Sequence, residues 1–129
     1  MKYLLALITT CLMSVSCAAL ENVESVTLDQ VTGAPGSYAG KRISVCGWME
    51  SKLELCSLSK SSNTQGTKES IWVVPHGEWC DPDESAISPF EGWADVSGVL
   101  HTGDTYGHFG AWDLAIDQAH VTPRQQICD

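Results

Sequence analysis

From Lys41 to Glu50 the chain reads KRISVCGWME, with apolar and small residues at every second position. Ile43, Val45, Gly47 and Met49 share one face, and Ser44, Cys46, Trp48 and Glu50 share the other. A period of two marks a strand, because successive side chains point to opposite sides of the backbone. The signal returns four times. LELCSL places Leu53 and Leu55 inward, and SIWVV is a short apolar run stopped by Pro75. WADVSGVLH sets Ala94, Val96, Gly98 and Leu100 on one side, and AWDLAID groups Trp112, Leu114 and Ile116. No long helical period occurs, so five short strands must close on themselves or pack as two sheets.

The connections narrow the choice. Thr27 and Gln30 stand in capping-box relation, which predicts one or two helical turns opened by Leu28 and Val31. GAPGSYAG then stops the helix, through Pro35 and its glycines. SKSSNTQGTKES is a polar loop between the second and third strands, and PHGEWCDPDESAISPFE is a longer link between the third and fourth. DESAI offers that link a helical turn, kept short by the prolines. A five-stranded barrel with a long third connection is the OB arrangement. The expected fold is therefore all-β: a five-stranded OB-like barrel with a short N-terminal helical turn and a long connection between strands three and four.

The first residues speak to location. Lys2 gives a positive start, and Tyr3 to Met13 is almost unbroken apolar or small sequence, too short for a comfortable membrane span. This is the layout of an export signal. SCAAL offers small residues before Ala19 for ordinary signal cleavage. MSVSC resembles a bacterial lipobox with Ser16 directly before Cys17, although Ser14 stands where leucine is usual. The second reading is preferred: Cys17 carries lipid, and Ala18, in place of an inner-membrane-retaining aspartate, directs the anchor to the outer membrane. The alternative is a free periplasmic protein. On this reading residues 1–17 are the signal, 18–26 a tether, and 27–129 a single domain.

The chain carries 7 Lys and Arg against 16 Asp and Glu, a net charge of −9. Loss of Lys2 with the signal makes the remainder more acidic still. A phosphate backbone would be repelled, so nucleic acid is not expected as a partner. Contact with a membrane is expected through the lipid anchor only.

YAGKRISVCGW, DVSGVL and YGHFG together resemble a family of small exported bacterial OB-fold-like proteins and lipoproteins, over about Leu28 to Val121. The resemblance implies a barrel fold and an envelope location. It brings no catalytic residues.

Candidate chemistry gathers in TYGHFGAW, residues Thr105 to Trp112, which falls in the loop joining the fourth and fifth strands. In OB folds that loop borders the ligand face. Tyr106 and Phe109 either cover the barrel mouth while His108 bonds within the loop, or His108 meets His101 across the hairpin with Asp104 as a third ligand. No His-Glu-x-x-His or similar spacing supports a metal, no Gly-x-Ser-x-Gly elbow supports a hydrolase, and no cofactor motif is found. Asp81 and Asp83 flank Pro82 in what reads as a solvated turn; His76 and His120 show no partner. Trp48 and Trp72 lie opposite the presumed core residues of their strands. Either they stack against a ligand, or loops cover them as a second small core. Trp79 and Trp93 flank the long link. The expectation is a non-enzymatic binding module for a small ligand or protein partner, with Trp48, Trp72, His101, Tyr106 and His108 as candidate contacts. The competing reading is a metal-binding protein or hydrolytic enzyme centred on His101 and His108.

Six cysteines are present. Cys11 leaves with the signal and Cys17 is the lipid site, so Cys46, Cys56, Cys80 and Cys128 remain for two disulfides in an oxidising compartment, with three pairings possible. If the first hairpin turns at Ser51, Cys46 faces Cys56 on the side opposite Val45 and Leu55. That predicts Cys46–Cys56 and, by elimination, Cys80–Cys128.

Overall fold

The computed structural model describes residues 21–52, 55–63, 67–75 and 90–129. Six strands and one short α-helix follow in the order β1 (Glu24–Val26), α1 (Leu28–Gly33), β2 (Arg42–Lys52), β3 (Leu55–Ser59), β4 (Ser70–Pro75), β5 (Phe90–His101) and β6 (Ala115–Pro123). The sheet runs β1-β2-β3-β4-β6-β5, and pairing of β2 with β5 closes it. β2, β3, β4, β6 and β5 thus form a closed five-stranded OB-like barrel. Its β4–β6 pair is parallel, and every other pair within the ring is antiparallel.

The alternation that predicted β2 is what builds the core. Ile43, Val45 and Met49 are fully buried, while Ser44, Cys46 and Trp48 sit half-buried on the outer face. Ala94, Val96 and Leu100 of β5 and Ile71 and Val73 of β4 complete the interior as expected, with Ile116 from β6. Residues 112–114 precede β6 instead of forming its start, yet Trp112 and Leu114 remain buried. α1 opens with the capping box read from the sequence: Gln30 N donates to Thr27 Oγ1 (3.1 Å) and Thr27 N donates to Gln30 Oε1 (2.8 Å). Leu28 and Val31 point from α1 into the core.

Two local expectations change. Glu24–Val26, assigned to the tether, forms β1 parallel to β2, with Val26 opposite Val45. β3 is also out of phase with its predicted face. β2 continues to Lys52, which pairs with Leu55, and Ser51 pairs with Cys56. The chain therefore reverses between Lys52 and Leu55; residues 53–54 lie outside the described residues. Moving the turn in this way transfers Cys56 and Leu58 to the buried face and leaves Leu55 only half-buried. The long link that holds His76, Trp79, Cys80, Asp81 and Asp83 lies outside the described residues, as do the signal and Cys17.

This register overturns the expected disulfides. Cys46 is bonded to Cys128, with their Cα atoms 5.7 Å apart, replacing Cys46–Cys56 and Cys80–Cys128. The cause is parity. Cys56 lies opposite Ser51, an odd number of positions along β2 from Cys46, so the two cysteines face opposite sides of the barrel wall. Cys56 is disulfide-bonded as well.

Candidate functional site

Two regions of the barrel surface collect chemistry. The first is a cleft of about 540 Å³ on the outer face of β2 and β5, between the start of α1 and the C-terminal tail. Arg124 N donates to the Trp93 carbonyl (2.8 Å) just beyond β6, and the tail then returns until Cys128 reaches Cys46. The disulfide thus builds one wall. Arg124 Nη1 lies 2.9 Å from Cys46 Sγ and 3.4 Å from Asp95 Oδ1. On the opposite side Lys60 Nζ donates to both oxygens of Asp29 (2.9 and 3.1 Å). That hydrogen bond, with the attraction of the carboxylate, raises the Lys60 pKa, so the ammonium stays charged throughout the neutral range. Ser25, Thr27 and Ser44 add hydroxyls, and Val26 and Leu28 add apolar surface. Such a cleft can bind a small polar molecule, with each cation exchanging its carboxylate partner for one on the ligand.

The second region is the loop between β5 and β6. Tyr106 and Trp112 pair as a small bridge, Tyr106 N donating to the Trp112 carbonyl (2.8 Å) and Trp112 N to that of Tyr106 (3.2 Å). Gly110 N closes the tip by donating to the Gly107 carbonyl (3.1 Å), and Tyr106 Oη donates to the Thr102 carbonyl (3.3 Å). Trp112 stacks at a tilt on Trp72, with centroids 4.7 Å apart, and its Nε1 donates to Ser70 Oγ (2.9 Å). Gly107 lies directly against both indoles: a Cβ there would fall 2.6 Å from Trp72 Cε3 and 2.7 Å from Trp112 Cε3. The loop thus packs against Trp72, which remains half-buried.

The remaining candidates separate. His101, at the end of β5, has Nε2 3.5 Å from Asp117 Oδ2, and Asp104 accepts from Thr105 N (2.8 Å). His108 packs edge-on against Phe109, with ring centroids 4.0 Å apart. Among the described residues no three His, Cys, Asp or Glu side chains are placed to hold a metal, so His101, Asp104 and His108 do not assemble the suggested ligand set. Trp48 is edge-to-face with Trp93 at 5.4 Å on the outer face of β2 and β5, and its buried Nε1 has no hydrogen-bond partner among the described residues.

Sequence reasoning missed the cleft. Its cations come from the polar loop after β3 and from the C-terminal tail, and only the true disulfide brings the tail beside β2. The one available signal was Cys128, close to Arg124 in sequence. No protein-family model, curated protein or solved structure matches the chain.

Proposed function

We propose that this chain is an envelope-located, lipid-anchored binding module, without catalytic activity, that takes a small polar ligand in the cleft between α1 and the C-terminal tail. The cleft carries the reading. Its volume of about 540 Å³ lies within the usual range for small-molecule sites, and a disulfide holds one of its walls in place. The Arg124–Asp95 pair stands on one side of it and the Lys60–Asp29 pair on the other, which favours a ligand bearing both an anionic and a cationic or hydroxyl group. The lipobox-like MSVSC supplies the anchor at Cys17.

Two experiments test this. Thermal-shift screening of amino acids, short peptides, sugars and small carboxylates should yield a ligand whose stabilisation is lost in Arg124→Ala. Hits that stabilise wild type and Arg124→Ala equally would place the ligand elsewhere. For the anchor, Cys17→Ser should move the protein from the membrane fraction to the soluble or unprocessed pool; wild-type protein found wholly in the soluble fraction would rule it out.

A further inference from the structure

Phe109 combines two unfavourable choices in one residue. It is 94 % exposed, the most exposed large apolar side chain among the described residues, and its backbone has φ 57° and ψ 17°. The left-handed region crowds any residue with a Cβ, and a bulky aromatic there is an outlier. Nothing inside the barrel gains from this placement. The loop nevertheless imposes it: the Tyr106–Trp112 pair, the Gly110 to Gly107 hydrogen bond and the seating of Gly107 on Trp72 fix the backbone on either side. A rigid loop therefore presents a benzyl group outward, with His108 against its edge.

The barrel end at which this happens is also the end at which the chain arrives. β1 runs parallel to β2 with Glu24 opposite Ile43, so the N-terminal segment enters beside the start of β2. Arg42 opposite Val99 puts the end of β5 at the same place, and Gly40 N donating to the Leu100 carbonyl (2.8 Å) fastens the two together. Glu21 Oε2 lies 2.8 Å from Arg42 Nε, so the incoming chain passes the start of β2. The loop with Phe109 begins directly after His101, the last residue of β5. In strand order β1, β2 and β5 are neighbours, so loop root and incoming chain stand about 10 Å apart, two strand spacings, and from its root the loop reaches across β6 to seat Gly107 on Trp72 of β4 at the same end. From Glu21 back to Cys17 is four residue steps, which span at most about 14 Å fully extended.

We propose that Phe109 is a second, non-covalent membrane contact: the tip of the β5–β6 loop docks its benzyl ring into the lipid interface beside the anchor and holds the barrel end-on to the bilayer. The proposal rests on the reading of Cys17 as the lipid site. The tether makes the bilayer the occupant of this surface. A barrel end held within about 14 Å of its anchor meets the membrane at a very high effective concentration, so a single aromatic contact is enough to orient it. A benzyl ring is apolar and gains by leaving water for the boundary between headgroups and acyl chains, and the acidic remainder of the surface is better left in water.

The sequence contains two phenylalanines, which makes the test direct. Phe90 is the first residue of β5, roughly 35 Å of strand from the loop root, and packs against the core. The lipid-bearing full-length protein, labelled with fluorophenylalanine, gives two fluorine resonances, assigned with Phe109→Leu. It is placed in phospholipid vesicles carrying a nitroxide first at the headgroup and then within the acyl chains. The expected result is loss of the Phe109 resonance with both labels and retention of the Phe90 resonance with both. Survival of the Phe109 resonance against the acyl-chain label, or equal loss of both resonances, overturns the docking. The mass of the N-terminal peptide is read on the same sample. An unacylated Cys17 overturns the anchor and the docking together; an acylated Cys17 with an unaffected Phe109 overturns the docking alone.

Discussion

Cys46 and Cys128 are joined across 82 positions of sequence, and the bond sets the C-terminal tail against the outer face of β2. Cys46 stands in mid-strand opposite Asp95 of β5, so the tail is fixed to the wall of the barrel and not to one of its ends. The bond brings Cys128 to the cleft on that side, while Arg124 is set between Sγ and Asp95 by its own backbone hydrogen bond to Trp93 at the end of β6.

Removing this bond should cost both stability and the cleft. On the chain-entropy model, closing a loop of 82 positions contributes about 4.5 kcal/mol, and measured losses for native disulfides run about 2–5 kcal/mol. A Cys46→Ser, Cys128→Ser double variant should lose stability within that range in urea titrations, and its tail amides should exchange faster than those of β5. Non-reducing peptide mapping of the wild type should recover Cys46 linked to Cys128. A Cys46–Cys56 peptide would contradict the β2–β3 register as well as the disulfide.

The β5–β6 loop predicts opposite outcomes at neighbouring positions. Gly107→Ala drives a Cβ to 2.6 Å from the Trp72 ring at a backbone φ of +72°, and should destabilise by about 1–3 kcal/mol. Phe109→Asn removes an exposed ring from a left-handed position that asparagine tolerates. It should leave stability unchanged or raise it by up to about 1 kcal/mol. Denaturant midpoints decide both. A large loss for Phe109→Asn would mean that the ring packs within the protein, against its observed exposure.

The comparison of β2 with β3 shows where sequence reading succeeds and where it fails. In β2 the apolar and small positions alternate over seven residues from Ile43 to Met49, a run in which only one phase buries Ile43, Val45 and Met49 together. The barrel order followed from such strands plus connection lengths, and α1 from its cap. LELCSL is shorter and ambiguous: Leu53 and Leu55 favour one phase, Cys56 and Leu58 the other. A turn centred two to three residues further along the chain decides between them, and no glycine marks it. The pairing of Cys46 with Cys128 joins segments 82 positions apart, and no local pattern encodes that meeting. For the same reason the cleft could not be read, whereas the outward faces of Trp48 and Trp72 could.

Gly98 is required by a bulge. The β5–β6 register slips between Ser97 and Val99, with Gln118 at φ 51° on the opposing strand. The slip brings the Asp117 carbonyl oxygen to 2.5 Å, and Ile116 Cγ2 to 2.6 Å, from where a Cβ at position 98 would stand. The first of these is backbone and cannot rotate away. Gly98→Ala should therefore destabilise by about 1–3 kcal/mol with an unchanged m-value, and Gly98→Val by more. An alanine variant with the wild-type midpoint would show that the bulge can relax.

Ser70 offers the last test, because its hydroxyl is the acceptor for Trp112 Nε1 at 2.9 Å in a buried setting. Both residues are more than nine-tenths buried, at 5 % and 8 % exposure. An indole N–H is a donor only, so removing its acceptor leaves a polar hydrogen in apolar surroundings with nothing in exchange. Such an orphaned group costs about 1–3 kcal/mol, more than the net worth of the hydrogen bond itself. Ser70→Ala should lose that amount in urea. The tilted stack of Trp112 on Trp72 should loosen with it, since the bond fixes the indole plane, and the near-ultraviolet dichroism of the tryptophans should weaken. Ser70→Thr keeps the hydroxyl and should retain most of the signal. An alanine variant with wild-type stability and dichroism would mean that the indole finds another acceptor, and that the cover over Trp72 does not depend on this bond.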